Sequence, residues 1–116
     1  EFGIEGKKEW GSDWPLRPCL ELSDYKDAVN TNPVTSVYAA LGKLKAQLPE
    51  LTWGEVKELQ LTTQCYAFAR VLDGEACVVV LNNGDSPAQP IMTGIEWGRM
   101  KVQLPSNYAT ILKLEK

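Results

Sequence analysis

The sequence contains no histidine, and this absence removes much catalytic chemistry. Histidine is the usual proton shuttle near neutral pH, a member of the hydrolase triads and the commonest metal ligand. Cysteine is scarce: Cys19, Cys65 and Cys77 are odd in number and follow no metal-type spacing. Neither a disulfide framework nor a structural zinc site is expected from them. We interpret the three as buried free thiols, and we expect no metal and no cofactor.

Long runs of one residue type are also missing. The longest unbroken apolar run, residues 76–81, is too short to cross a bilayer. No basic run exceeds the pair Lys7 and Lys8, and the net charge is −3, so nucleic acids and membranes are not expected as partners. No charged and then apolar leader opens the sequence, and the cellular compartment stays open.

Residues 1–32 show no sustained period of two or of 3.6 residues. The whole chain has 116 residues, 44% of them hydrophobic and 23% charged, which predicts one folded core of modest size. An irregular stretch as long as residues 1–32 is uncommon inside a compact domain. Because Trp10, Trp14 and Tyr25 are costly to leave in water, we expect these side chains to lie against something.

One amphipathic helix is predicted over residues 33–48. Asn32 is a suitable cap, and Pro33 suits the first helical position. Apolar residues follow at helical spacing, namely Val34, Val37, Tyr38, Leu41, Leu44 and Leu48. Lys43, Lys45 and Gln47 fall on or near the wet side. The simplest interpretation is an ordinary helix that faces a core.

Short strands are predicted after residue 51. They cover residues 56–61, 65–71, 76–81, 89–93, 100–104 and 108–114, with turns that include Gly94 and Gly98. Asp73-Gly74 is a strong hairpin signal, and residues 76–81 are apolar on both faces, as in a central strand. Closely spaced strands with short turns favour a mainly β fold, an antiparallel Greek-key β-sandwich preceded by the helix. The predicted segments are therefore 1–32, 33–49 and 50–116.

No complete catalytic site is visible in the sequence. The irregular segment contains carboxylates, among them Glu5, Glu9, Asp13 and Glu21. Glycoside hydrolysis needs a pair of carboxylates, but the sequence does not pair these. Trp10 and Trp14 are candidates for stacking on sugar rings, Trp53 and Trp97 less so. An isolated tryptophan in a small domain is more often a packing residue.

Several stretches resemble alpha-amylase-family glycoside hydrolases. Residues 1–6 (EFGIEG) and 13–18 (DWPLRP) resemble the segment that follows the last barrel strand of those enzymes. The stretch from VYAAL at residue 37 to Leu51, followed by Gly54, YAFAR (66–70) and VVVLNN (78–83), is similar to the last barrel helix and the start of the C-terminal β-sandwich. The resemblance implies a C-terminal fragment of such an enzyme.

The resemblance also implies what the fragment lacks. The catalytic nucleophile, the general acid and the transition-state-stabilising aspartate of the family lie on earlier barrel strands, and none of those motifs occurs here. The parent enzyme would be a retaining hydrolase of α-glucosidic bonds in starch-like glucans or maltooligosaccharides, and this chain alone is expected to be inactive. Its expected partner is the (β/α)8 catalytic barrel.

The substrate-side residues implied by the resemblance are Asp13 and Arg17, with Trp10 and Trp14 beside them. Leu16 departs from the family pattern Asp-x-x-Asn-Arg-x-Pro, where Asn is common. Without the barrel, the helix stripe and the two tryptophans lose their cover, so we expect the chain to fold them onto its own sandwich or to associate with another copy. The alternatives are a stand-alone carbohydrate-binding module for α-glucan and a structural domain without a ligand.

Overall fold

The computed structural model describes residues 1–92 and 100–114. It divides into two compact units, Glu1–Leu44 and Lys45–Lys116, which are considered separately. The helical elements are two 3-10 turns, Trp14–Leu16 and Leu22–Tyr25, and three α-helices, α1 (Ala28–Thr31), α2 (Pro33–Gln47) and α3 (Pro49–Trp53). The strands are β1 (Glu55–Leu61), β2 (Cys65–Leu72), β3 (Glu75–Asn82), β4 (Ile91–Met92), β5 (Met100–Lys101) and β6 (Tyr108–Leu114). No helix in these residues is long and apolar enough to cross a membrane.

The first unit is organised around the start of α2. The Asn32 side chain accepts hydrogen bonds from the backbone N–H groups of Val34 and Thr35, at 2.9 and 3.2 Å, and thus caps the helix as expected. Its amide nitrogen donates to the Phe2 carbonyl at 2.7 Å, and the Thr35 hydroxyl donates to the Glu1 carbonyl at 2.8 Å. These bonds hold the N-terminal residues against the first turn of α2.

Most of the apolar stripe of α2 is exposed to solvent, although Leu44 is half-buried. Val37, Tyr38 and Leu41 are 57%, 60% and 51% exposed. Within the first unit, this side of α2 is therefore not covered, in contrast to the predicted core-facing helix. The residues predicted on the wet side, Lys43 and Lys45, are exposed as well. Periodicity identifies the apolar side of a helix, but it does not supply the surface that covers that side.

The second unit contains a four-stranded antiparallel sheet in the order β1-β2-β3-β6. Strands β2 and β3 form a hairpin in which Leu72 pairs with Glu75. The two connecting residues, Asp73 and Gly74, have φ angles of 50° and 86°, as a tight two-residue hairpin turn requires. The predicted hairpin is confirmed, and β3 has a neighbour on each side, as its apolar sequence indicates.

A second sheet consists of β4 and β5, paired through Ile91–Lys101 and Met92–Met100. Strand β4 begins at Ile91 and not at residue 89, and β5 ends at Lys101 and not at residue 104. The Val102 N–H donates to the Pro90 carbonyl at 3.4 Å, but Pro90 has no N–H to return the bond, and the next pair is the isolated Ala88–Leu104 bridge. The end of the strand predicted over 89–93, the turns at Gly94 and Gly98, and Trp97 lie outside the described residues.

The core of this unit lies against one face of the larger sheet. Its buried members, each at most 1% exposed, are Ala67, Ala69, Val78, Val80, Met92 and Leu104. Strand β2 alternates as predicted: Ala67 and Ala69 are buried, whereas Tyr66 and Phe68 on the opposite face are half-buried. Complete burial of an apolar side chain such as Val80 is worth about 1.5–3 kcal/mol. The prediction of a mainly antiparallel β fold is confirmed, although three α-helices are present instead of one.

Candidate functional site

The predicted substrate-side residues lie in one short turn of the first unit. The backbone N–H of Leu16 donates to the Asp13 carbonyl, and that of Arg17 to the Trp14 carbonyl, both at 3.0 Å. Pro15 favours this 3-10 turn because its φ angle is already fixed near the helical value. The structure thus brings Asp13, Trp14 and Arg17 together locally. Asp13 also forms an exposed ion pair with Lys8 at 3.0 Å, a type of contact that contributes little stability.

Trp10 lies at the tip of a separate tight turn. The Ser12 N–H donates to the Glu9 carbonyl at 3.2 Å, and Gly11 adopts a φ angle of 75°. Trp10 is fully exposed and Trp14 is 81% exposed. Within the first unit neither ring is covered, and the expectation that they lie against the sandwich or against another copy stays a prediction. The two turns therefore offer two exposed aromatic rings to a ligand or to another protein.

An ionic cluster around the buried Glu50 in the second unit was not found by sequence reasoning. Glu50 in α3 is 3% exposed, and the Lys113 ammonium donates to its carboxylate at 2.5 Å and to that of Glu75 at 2.6 Å. The hydrogen bond from Lys113 lowers the pKa of Glu50 and outweighs the effect of burial, which raises it. The same bonds raise the pKa of Lys113.

The thiol of Cys77 adjoins this cluster, with its Sγ 3.6 Å from a Glu50 carboxylate oxygen. Burial and, secondarily, the Glu50 charge raise the pKa of Cys77 to about 11. A thiol in this position is a poor nucleophile, because the reactive form is the thiolate. Cys65 and Cys77 are buried free thiols as expected, but Cys19 is exposed because it lies in the irregular segment, away from the core.

Arg70 and Lys113, which lie in one cross-strand row of the sheet, both form hydrogen bonds to α3. Arg70 pairs with Cys77, and Cys77 pairs with Lys113. The Arg70 guanidinium donates to the carbonyls of Glu50 and Thr52 at 3.3 and 3.1 Å, which satisfies carbonyl groups of this short helix. The cluster therefore acts as an anchor for α3. Beside it lies a cleft of about 240 Å³ lined by Pro49, Glu50, Leu72, Asp73 and Glu75.

Asn82 is a second feature that sequence reasoning missed. Its side chain is buried, and its amide nitrogen donates to the carbonyls of Ser86 and Pro105 at 2.9 and 2.8 Å. Its amide oxygen accepts a hydrogen bond from the Gly84 N–H at 3.0 Å. These bonds join the end of β3 to the approach of β6. In the sequence, Asn82 is the first residue of the run NNGD, which indicates only a turn.

A shallow cleft of about 220 Å³ lies at this end of the sheet, and we call it the β3–β6 cleft. It is lined by Leu81, Asn82, Asn83, Asn107, Tyr108 and Ala109. Asn107 has a φ angle of 49°, and its backbone N–H donates to the Gly84 carbonyl at 3.1 Å. Among the described residues, no group of three His, Cys, Asp or Glu side chains is arranged to hold a metal ion.

Comparison of the sequence with protein families and with curated proteins finds no match. The resemblance to alpha-amylase-family enzymes therefore stays a prediction that rests on the residues quoted for it.

Proposed function

We propose that the chain is the C-terminal portion of an alpha-amylase-family glycoside hydrolase that acts on starch-like glucans or maltooligosaccharides. In this proposal, the β-structure stabilises a (β/α)8 catalytic barrel, and residues 1–32 border the substrate cleft. The YAFAR and VVVLNN stretches that support the resemblance fall on β2 and β3, the two strands of the central hairpin. The catalytic carboxylates belong to the barrel, and the isolated chain is inactive.

The observation that carries the proposal is the exposed stripe of α2. A helix of 15 residues with a one-sided apolar face normally buries that face. Here Val37, Tyr38 and Leu41 remain more than half exposed. Completing the burial of these three side chains would stabilise an assembly by roughly 1 kcal/mol each. The last helix of a barrel gains this burial from its neighbours, which accounts for an apolar stripe on a helix that is uncovered here.

The finer architecture, a Greek-key β-sandwich, is part of the same proposal. Met92 of β4 and Leu104 beside β5 are buried together with Ala67 and Val80 of the larger sheet, which is the packing expected between two β-layers.

The substrate-side role proposed for Asp13, Trp14, Arg17 and Trp10 rests on their exposure and on the local turn that groups three of them. Both indole rings are available to a sugar, and the Arg17 side chain lies one short turn from the Asp13 carboxylate. In the parent enzyme this turn would stand at the rim of the barrel.

A test of the fragment proposal compares two variants of the parent enzyme. Leu41→Asp places a charge on the apolar stripe, whereas Lys43→Asp changes charge on the opposite, exposed side of α2. We expect the first to lower the thermal midpoint and the rate of starch hydrolysis and the second to leave both near those of the unmodified enzyme. Equal effects of the two variants would contradict the proposal.

The reading frame that encodes the chain supplies the deciding control. Upstream of Glu1 it should encode barrel strands that carry an Asp and a Glu in the family's catalytic motifs. Their absence, or starch hydrolysis by the isolated chain, would refute the proposal. The isolated chain is further expected to associate with a second copy through the α2 stripe, so that light scattering shows a mass that rises with concentration and falls in Leu41→Asp.

The exposure of Trp10 and Trp14 favours a second candidate, a stand-alone carbohydrate-binding module. Isothermal titration with maltooligosaccharides should then give heat that the double variant Trp10→Ala/Trp14→Ala abolishes. The matched control is Trp53→Ala, which removes an exposed tryptophan of the second unit. Heat that survives the double variant, or no heat at all, would exclude this module.

A further inference from the structure

We propose that the β3–β6 cleft is a binding site for one neutral sugar ring. The site lies wholly within the second unit and includes none of the residues of the Trp10 and Trp14 turns. It does not depend on the chain being an enzyme fragment, because a stand-alone domain with this cleft would bind the same ligand.

The chemistry of the lining carries this proposal. None of the six lining side chains is charged, so the cleft offers no counter-ion to a phosphate or a carboxylate. Asn83 and Asn107 contribute primary amides, which donate and accept hydrogen bonds as neighbouring sugar hydroxyls also do. The Asn107 amide nitrogen donates to the Asp85 carboxylate at 3.4 Å, which leaves its second N–H and its amide oxygen to a ligand. Tyr108 is 53% exposed and adds an aromatic surface against which the C–H face of a pyranose packs.

The backbone that carries these groups is fixed before any ligand arrives. The Asn83 N–H donates to the Gln64 carbonyl at 2.8 Å, and the Asn107 N–H donates to the Gly84 carbonyl. Buried Asn82 links both sides of the cleft, and its amide is fully engaged with the protein, so it frames the site and does not bind the ligand. Groups held in this way lose little conformational freedom on binding.

The size of the cleft limits the ligand. Its volume of about 220 Å³ lies below the roughly 300–1,000 Å³ typical of small-molecule pockets, and it is shallow. It therefore suits a single ring, for example one residue of a longer glucan whose neighbouring residues remain in solvent. Because the cleft has no buried charged group that would strengthen binding, we expect a dissociation constant on the order of 1–10 mM.

The experiment is an NMR titration of the isotope-labelled chain with maltose. The side-chain amide signals of Asn83 and Asn107 should shift with saturation in the millimolar range, whereas the amide of Asn32, which is bonded to the Phe2 carbonyl, should not. Absence of saturable shifts up to about 50 mM, well above the expected range, would overturn the proposal.

Three variants locate the binding. Asn107→Gly removes the amide but tolerates the left-handed backbone, so the fold is retained. Tyr108→Leu removes the aromatic surface. Each should weaken binding roughly 3- to 10-fold, the loss expected for one net hydrogen bond or packing contact. Trp53→Ala, which removes an exposed tryptophan of the second unit outside the cleft, should leave the affinity unchanged, and abolition of the shifts by this variant would refute the cleft as the site.

Discussion

Asn82 provides the sharpest prediction for the stability of the second unit. The variant Asn82→Ala removes two hydrogen bonds to the Ser86 and Pro105 carbonyls and one from the Gly84 N–H. Each such bond contributes about 0.5–1.5 kcal/mol net, so three account for roughly 2–4 kcal/mol. Because Gly84 is itself buried, its N–H is left without a partner, which places the loss in the upper half of that range.

The variant Asn82→Asp separates hydrogen bonding from side-chain volume. Aspartate keeps the acceptor for the Gly84 N–H but turns an oxygen toward the Ser86 and Pro105 carbonyls, where the amide nitrogen donated. At neutral pH it should therefore be at least as destabilising as Asn82→Ala. Protonation restores one donor, so the deficit should shrink as the pH falls below the aspartate pKa in the folded variant.

Urea denaturation followed by circular dichroism measures both effects. The matched control is Asn83→Ala, because Asn83 is the same residue type, adjacent in sequence and exposed. We expect this control to change the free energy of unfolding by less than about 0.5 kcal/mol. The reasoning fails if Asn82→Ala costs less than about 1 kcal/mol, or if the two alanine variants are equally destabilising.

The ionic cluster and the cysteines give the remaining predictions. Folding lowers the pKa of Glu50, so the contribution of Glu50 to stability is present above its ordinary pKa of about 4.3 and is lost as the pH falls through the folded pKa. Urea midpoints measured from about pH 6 to about pH 2 should show this loss of stability, and Glu50→Gln should reduce the dependence on pH. Lys113→Met leaves the buried carboxylate without its cation and should lower the urea midpoint more than the double variant Glu50→Gln/Lys113→Met, and the reverse order would contradict the pairing. Iodoacetamide at mildly alkaline pH should label Cys19 rapidly and Cys77 only after unfolding, as mass spectrometry would show, and equal rates would disprove the burial of the Cys77 thiol.

Local features of the fold could be predicted from the sequence because their causes are local. The Asn32–Pro33 pair marks the start of α2, and Asp73-Gly74 marks the hairpin, since each residue satisfies a backbone requirement at its own position. The alternation in residues 65–71 identifies the buried face of β2 for the same reason.

Features that depend on distant partners could not be predicted. Glu50 and Lys113 are 63 positions apart, and nothing near either residue indicates the other. The buried role of Asn82 is hidden because a turn sequence looks the same whether or not its amide is enclosed. The exposure of the α2 stripe escaped prediction because an apolar pattern does not reveal whether a covering surface is present. The residues of the Asp13 turn were predicted from the sequence as a candidate site. The β3–β6 cleft was not predicted, because it forms only when β6 lies beside β3.

The two-residue turn at Asp73 and Gly74 also bears on the order in which the sheet forms. Strands β2 and β3 meet after closing the smallest loop that a hairpin allows, whereas β6 reaches β3 only across residues 83–107. Loop closure is entropically more costly for the longer connection, and non-local pairing slows folding. The β2–β3 pair is thus the natural nucleus of the second unit. Substitutions in that pair should mainly slow folding, while substitutions in β6 should mainly accelerate unfolding.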